Sequence, residues 1–135
     1  MIVVIDDNRL QRIAARRVLG KSSAIWIPDT PEEVDAIDAS AIECAIVDRR
    51  MEGRWLEARD AFIARMCGKS ECPDHRLVEW TASDKSDVRQ AICQAGAYVQ
   101  KTGTAHELRD VVSRYLVPEP SGSTLAHMLM PFVGC

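Results

Sequence analysis

Five side chains in this sequence have the types and spacing to handle a phosphoryl group: Asp6, Asp7, Asp48, Thr81 and Lys101. They end four short β-branched runs, Ile2-Val3-Val4-Ile5-Asp6, Cys44-Ala45-Ile46-Val47-Asp48, Leu77-Val78-Glu79-Trp80-Thr81 and Ala97-Tyr98-Val99-Gln100-Lys101. In an open parallel sheet, ligands bind beyond the carboxyl ends of the strands, so such endings gather their polar groups at one edge. Three carboxylates there repel one another, and at ~4 Å with an effective dielectric near 20 each pair costs about 4 kcal/mol. A divalent cation relieves the repulsion. Mg²⁺ suits the site because it prefers hard oxygens and is held by one or two carboxylates plus a substrate phosphate. Lys101 adds a point charge for a phosphoryl oxygen, and the Thr81 hydroxyl can donate to another. Asp48 ends a central strand between the acidic pair and the Lys and Thr, which makes it the natural acceptor and an aspartyl phosphate the product.

Each residue alone has a plainer role. Asp6, Asp7 and Asp48 could favour the N-terminus of a following helix, Thr81 could serve a turn, and Lys101 could be a solvated charge. Independent roles of that kind do not account for placement at four ends of one sheet.

The elements that must position these groups are legible from hydrophobic pattern. The four runs and a fifth, Ala24-Ile25-Trp26-Ile27, alternate with amphipathic stretches, the pattern of β-α units that fold as a parallel sheet covered by helices on both faces. The first and third runs are nearly continuous in apolar residues and are expected in the middle of the sheet. Leu10, Ile13, Ala14 and Val18 share one helical face, with Gly20 where a helix C-terminus is capped. Thr30-Pro31-Glu32-Glu33 combines an N-cap, a first-turn proline and a capping-box glutamate ahead of Val34 and Ile37. Leu56, Phe62, Ile63 and Met66 mark a third helix, and Val88, Ala91, Ile92 and Ala95 a fourth. Thr104 with Glu107 is expected to cap a fifth, carrying Leu108, Val111, Val112 and Tyr115.

With 135 residues the chain makes about one domain, and 17 Lys+Arg against 20 Asp+Glu leave it at −3, without the positive field of a non-specific nucleic-acid binder. Met1 leads straight into an apolar run and two carboxylates, so no secretory signal is expected and the cytoplasm is the expected location. Pro120 to Cys135 is broken by Pro, Ser, Gly and His and falls short of the roughly 20 apolar residues of a membrane span. The domain is expected over 1–116, with 117–135 a linker and a short apolar tail. Five cysteines without paired spacing argue against a disulfide framework. Cys44 and Cys93 look like small buried hydrophobes, and Cys67, Cys72 and His75 fit loop thiols better than a zinc site. Trp26, Trp55 and Trp80 are expected in core or helix-to-sheet contacts, and the doublets Arg16-Arg17 and Arg49-Arg50 on solvated faces.

Taken in order, these motifs resemble the response-regulator receiver domain of two-component signalling. Asp6 and Asp7 match its acidic pair, Asp48 its phosphoacceptor, Thr81-Ala82 its hydroxyl residue with a small neighbour, and Lys101 its lysine after the fifth strand. The resemblance covers residues 1 to about 116. It implies an α/β fold, a (βα)₅ doubly wound five-stranded parallel sheet of flavodoxin-like order 2-1-3-4-5. It implies Mg²⁺ held by Asp6, Asp7, Asp48 and the backbone carbonyl of Arg50, and a rotamer switch at Tyr98 coupled to Thr81. It also implies a sensor histidine kinase or phosphotransfer protein as phosphoryl donor, and a downstream target reached through the fourth helix, fifth strand and fifth helix, with a homodimer possible and no nucleic acid or membrane bound directly. Two departures stand out. Glu52 replaces the proline that usually follows the methionine after the acceptor, and Thr102 replaces the proline after the lysine, where a cis bond without proline would cost ~2.5–4 kcal/mol.

A stand-alone receiver, with no enzymatic activity beyond its own phosphoryl transfer and autodephosphorylation, is the expected role. The amino-terminal receiver of a DNA-binding transcription regulator and a receiver-like module that is never phosphorylated are the alternatives. A phosphohydrolase is disfavoured because Arg50 stands two residues after Asp48, where such enzymes place a second carboxylate.

Overall fold

A computed structural model describes residues 1–68, 76–82, 96–116 and 130–131, with the backbone alone at 96–98, 115–116 and 130–131. In chain order the elements are β1 (Ile2–Ile5), α1 (Arg9–Leu19), β2 (Ile25–Trp26), α2 (Pro31–Asp35), a 3₁₀ turn (Ala39–Ala41), β3 (Cys44–Val47), α3 (Gly53–Cys67), β4 (Leu77–Thr81), β5 (Gly96–Gln100), α4 (Glu107–Leu116) and β6 (Met130–Pro131). Five strands pair in parallel in the order β2-β1-β3-β4-β5. The two-residue β6 adds an antiparallel sixth strand on the β5 edge, so the tail segment extends a sheet expected to hold five strands.

Alternation along the central strands divides the core in two. Val3, Ile5, Ala45, Val47 and Leu77 point to one face, where Val34 of α2 and Ala58, Phe62, Ile63 and Met66 of α3 cover them. Ile2, Val4, Cys44, Ile46, Val78 and Trp80 point to the other, against Ala15 of α1 and Leu108, Val111 and Val112 of α4. β1 and β3 are buried along their whole length, as apolar runs at the centre of a parallel sheet must be.

Local signals placed the N-terminus of α2 and the C-terminus of α1 correctly. Thr30 Oγ1 accepts from Glu33 N at 3.1 Å while Glu33 Oε2 accepts from Thr30 N at 3.2 Å, a reciprocal capping box. Gly20 closes α1 with its N–H on Arg16 O. Of the face of α1 expected to be buried, Ala14 and Val18 pack half-buried against the core, but Leu10 and Ile13 do not. Leu10 is 71% exposed and Ile13 37%, while Arg12 and Ala15 are buried. Arg12 rotates the helix inward because its guanidinium finds partners there: the Asp6 carbonyl at 3.1 Å, Asp29 Oδ1 at 3.4 Å and the Trp55 ring at 5.1 Å.

Trp80 is fully buried, and Trp26 and Trp55 pack half-buried against the α2/α3 face of the core. Cys44 is a buried free thiol, whereas Cys67, expected as a loop thiol in a chain without a disulfide framework, is disulfide-bonded. The helix expected around Val88–Ala95, and Cys72, His75 and Cys93, also lie outside them. Among the described residues no helix is long and apolar enough to cross a membrane.

Candidate functional site

Asp6 follows β1 directly and is fully buried. Its Oδ1 accepts from Asn8 N at 2.9 Å, and the Asn8 side chain in turn accepts from Leu10 N and Gln11 N at 2.9 and 3.3 Å as the N-cap of α1. This relay turns the chain sharply at the sheet edge and holds the Asp6 carboxylate inward. At the end of β3, Asp48 N donates to Ile5 O at 3.0 Å, which carries the parallel ladder one residue past the strand and seats Asp48 beside Asp6. Carboxylate oxygens of Asp6, Asp7 and Asp48 all lie within 4.8 Å of one another.

Lys101 reaches into this cluster. Its Nζ stands 2.6 Å from Asp6 Oδ2 and 3.2 Å from Asp48 Oδ2, and its side chain is only 9% exposed. Lys101 N donates to Thr81 O at 2.9 Å, so the β4–β5 pairing aligns the lysine with the buried Thr81. The site residues expected from sequence therefore gather at one sheet edge: Asp6, Asp7, Asp48 and Lys101 by side chain, Thr81 by its place at the end of β4. Arg50 is exposed, and its N–H donates to Asp48 Oδ1 at 3.3 Å. Tyr98 pairs with Glu79 in register, and only its backbone is described, so the expected switch lies outside the described side chains.

Electrostatics follow from burial. Loss of solvent raises Asp6 above the ordinary carboxylate range even against Lys101. Burial, and then the Asp6 charge, push Asp48 up to about 6, while Lys101 and the Arg50 N–H pull the other way. Three hard carboxylate oxygens with no sulfur or imidazole among them fit Mg²⁺.

Three further features escaped sequence reading. Glu79 sits on β4 between Val78 and Trp80 and is buried, with Oε2 lacking a hydrogen-bond partner and Oε1 3.8 Å from Arg49 Nη1. Burial pushes it up to about 7, against the pull of Arg49 and Arg59. A carboxylate inside the apolar run Leu77–Thr81 was the available signal. Arg49 is turned inward, with its side chain 16% exposed rather than solvated as expected, and its Nη1 stands 3.8 Å from the buried Glu79 carboxyl.

Arg59 is the second such residue: its Nη1 donates to the carbonyls of Asp48 and Arg49. The third is a network around Glu107, whose carboxylate accepts from Thr102 and from the Trp80 indole. Thr104 was expected to pair with Glu107 in a capping box. Its Oγ1 instead accepts from His106 N at 3.4 Å and lies 3.1 Å from Thr102 Oγ1, while the Glu107 oxygens accept from Thr102 and Trp80.

The loop after Asp48 carries the other departure. Met51 is buried in the α2/α3 face of the core, and Glu52 stands at the N-cap of α3 without a side-chain cap bond. Gly53 then opens the helix at φ +59°, a conformation a side chain would strain. No described peptide bond is cis, the Lys101–Thr102 bond included.

No protein-family model matches the chain, and no curated protein matches it.

Proposed function

We propose that the chain is a response-regulator receiver that accepts a phosphoryl group on Asp48. The observation that carries the reading is the meeting of Asp48, Asp6, Asp7 and Lys101 at one sheet edge, with the Lys101 ammonium within 3.2 Å of both Asp6 and Asp48. An Asp48 oxygen attacks the phosphorus of a phosphohistidine donor, the P–N bond breaks, and the leaving imidazole keeps the electron pair. Asp6, Asp7, Asp48 and the Arg50 carbonyl would hold Mg²⁺, which when bound offsets the carboxylate charge and draws in phosphoryl oxygens. Lys101 then supplies a cation to the new phosphoryl, and Thr81 a hydroxyl donor.

The product carries a charge of roughly −1.5 to −2 where the carboxylate carried about −1, with three new acceptor oxygens, and that difference is what a shift in population requires. Thr81 drawn toward the phosphoryl and Tyr98 turning with it would repack the surface built on β5 and α4. A histidine kinase or phosphotransfer protein is the proposed donor, and a protein docking on that surface the proposed target.

A receiver-like module that is never phosphorylated is the second reading. It is favoured by the ion pairs Lys101 makes within the chain, which already offset part of the acidic charge. Incubation with acetyl phosphate and Mg²⁺, followed by intact mass, separates the two. A gain of one phosphoryl group that disappears in Asp48→Asn supports the receiver. No gain supports the module, and sustained turnover of acetyl phosphate would point to a hydrolase instead.

A further inference from the structure

We infer that Glu107 is a positioning residue for Lys101, acting through Thr102 and Trp80. The inference rests on the reading of Lys101 as the phosphoryl-binding cation. The β-ladder holds the lysine backbone only as far as the bond from Lys101 N to Thr81 O, since β5 ends at Gln100. Beyond that point the chain turns toward α4 without a proline to fix its direction.

Glu107 supplies the missing constraint from the first turn of α4. Thr102 N donates to its Oε2 at 3.2 Å and Thr102 Oγ1 to its Oε1 at 2.7 Å, which fixes the residue that follows the lysine. Trp80 Nε1 donates to the same Oε2 at 2.8 Å, which fixes the plane of an indole buried in the core. Lys101 Nζ lies 4.7 Å from the centroid of that indole, within cation–π range, while reaching Asp6 and Asp48. One carboxylate thus fastens both the backbone beyond the lysine and the ring beside its ammonium. Burial works against the ionised form of Glu107, but the Trp80 and Thr102 donors outweigh it and hold its carboxyl below the ordinary range.

A purely structural role, an acidic residue placed well for the dipole of α4, would lower stability without changing the surroundings of Lys101. Amine acetylation with acetic anhydride, read residue by residue by mass spectrometry, distinguishes the two on the unphosphorylated full chain. Lys21, which is exposed, serves as the internal standard. Lys101 should be labelled far more slowly than Lys21 in the wild type. In Glu107→Ala the Lys101 rate should rise several-fold while Lys21 stays constant, and Thr102→Val should move the same way while Thr102→Ser matches wild type. If Glu107→Ala does not fold, Glu107→Gln and Thr102→Val carry the comparison. Unchanged Lys101 protection in the folded variants overturns the inference.

Labelling of Asp48 by acetyl phosphate with Mg²⁺ gives the second readout. Folded Glu107→Ala, Glu107→Gln and Thr102→Val should be slower by about 10- to 100-fold, the scale on which a 1 Å misplacement acts, while Thr102→Ser keeps the wild-type rate. A wild type that takes up no phosphoryl group overturns the receiver reading, and the positioning role is then decided by Lys101 protection.

Discussion

Arg59 Nη1 donates to the backbone carbonyl of Asp48 at 2.8 Å, from a helix that begins five residues beyond that aspartate. The same nitrogen donates to Arg49 O at 2.6 Å, and the rest of the guanidinium is braced on Asp60 Oδ1 at 3.0–3.2 Å. The loop after Asp48 is therefore tied down by α3 through two carbonyls, where the resemblance would have a proline stiffen it. Only a planar, multi-donor cation spans both acceptors while resting on a carboxylate.

Replacing this clamp should loosen the loop. Arg59→Ala leaves two partly buried carbonyls short of a donor, a loss of about 1–3 kcal/mol each at most. Urea denaturation should show the destabilisation, with Arg59→Lys intermediate because it keeps charge but not the fork. Acetyl phosphate labelling of Asp48 should slow in the same order. Equal stability and equal labelling for all three proteins would show that the clamp has no part in holding Asp48.

Glu79 predicts a fall in stability with rising pH. Its folded value of about 7 stands above the ordinary 4.5, so between these limits the native protein keeps a proton that the unfolded chain has released. The associated stability is complete below 4.5 and is lost as pH rises through about 7, an effect of about 3 kcal/mol for a shift of this size. The raised Asp6 and Asp48 act with the same sign. Denaturation curves at pH 5 and pH 8 should show the wild type weaker at pH 8, and Glu79→Gln should lessen the difference. A Glu79→Gln protein with the wild-type pH dependence would show that the buried carboxylate titrates normally.

Strand endings were legible because each chemical residue closes an apolar run, and a parallel sheet brings such endings to one edge. The capping box of α2 was legible for a related reason: Thr30, Pro31 and Glu33 act within one turn of chain. Long-range partnerships left no such trace. Nothing local marks Glu107 as the partner of Trp80, 27 residues earlier, or Arg59 as a donor to Asp48. On α1, Ala14 and Val18 were legible as core-facing, but the exposure of Leu10 and Ile13 was not, since Arg12 turns inward to meet Asp6, Asp29 and Trp55 from three other parts of the chain. Apolar count alone would leave Arg12 in solvent and bury Leu10 in its stead.

Crowding of the carboxylates should make Asp48 costly in the resting protein. Burial and the Asp6 charge raise Asp48 to about 6, so at pH 8 its ionised form is held against its environment. Asp48→Asn should stabilise the protein at pH 8 by about 1–2 kcal/mol, less than the full shift because Lys101 loses a partner. Mg²⁺ should narrow the gap, since a ligand at a hundred times its dissociation constant adds about 2.7 kcal/mol to the state that binds it. Thermal denaturation with and without Mg²⁺ checks both statements. A wild type indifferent to Mg²⁺ at millimolar concentration would remove the acidic cluster as a cation site.

Arg12 should matter to the same corner from the opposite side. It is 8% exposed, its Nη1 satisfies the Asp6 carbonyl, its Nε faces Asp29, and its guanidinium covers the Trp55 ring. Arg12→Met keeps much of the apolar stem but leaves the buried Asp6 carbonyl short of that donor, at a cost of about 1–3 kcal/mol. Arg12→Ala should lose more, because the stem that fills the space between α1 and Trp55 goes as well. Since Asp6 is placed from both its carbonyl and its carboxylate, both variants should also bind Mg²⁺ more weakly, while a surface control such as Arg9→Ala should not. Trp55 fluorescence gives a local check, for removal of a cation 5.1 Å from the ring should alter its emission. Emission, stability and Mg²⁺ affinity all at wild-type values in Arg12→Met would mean that α1 turns its arginine inward for no energetic gain.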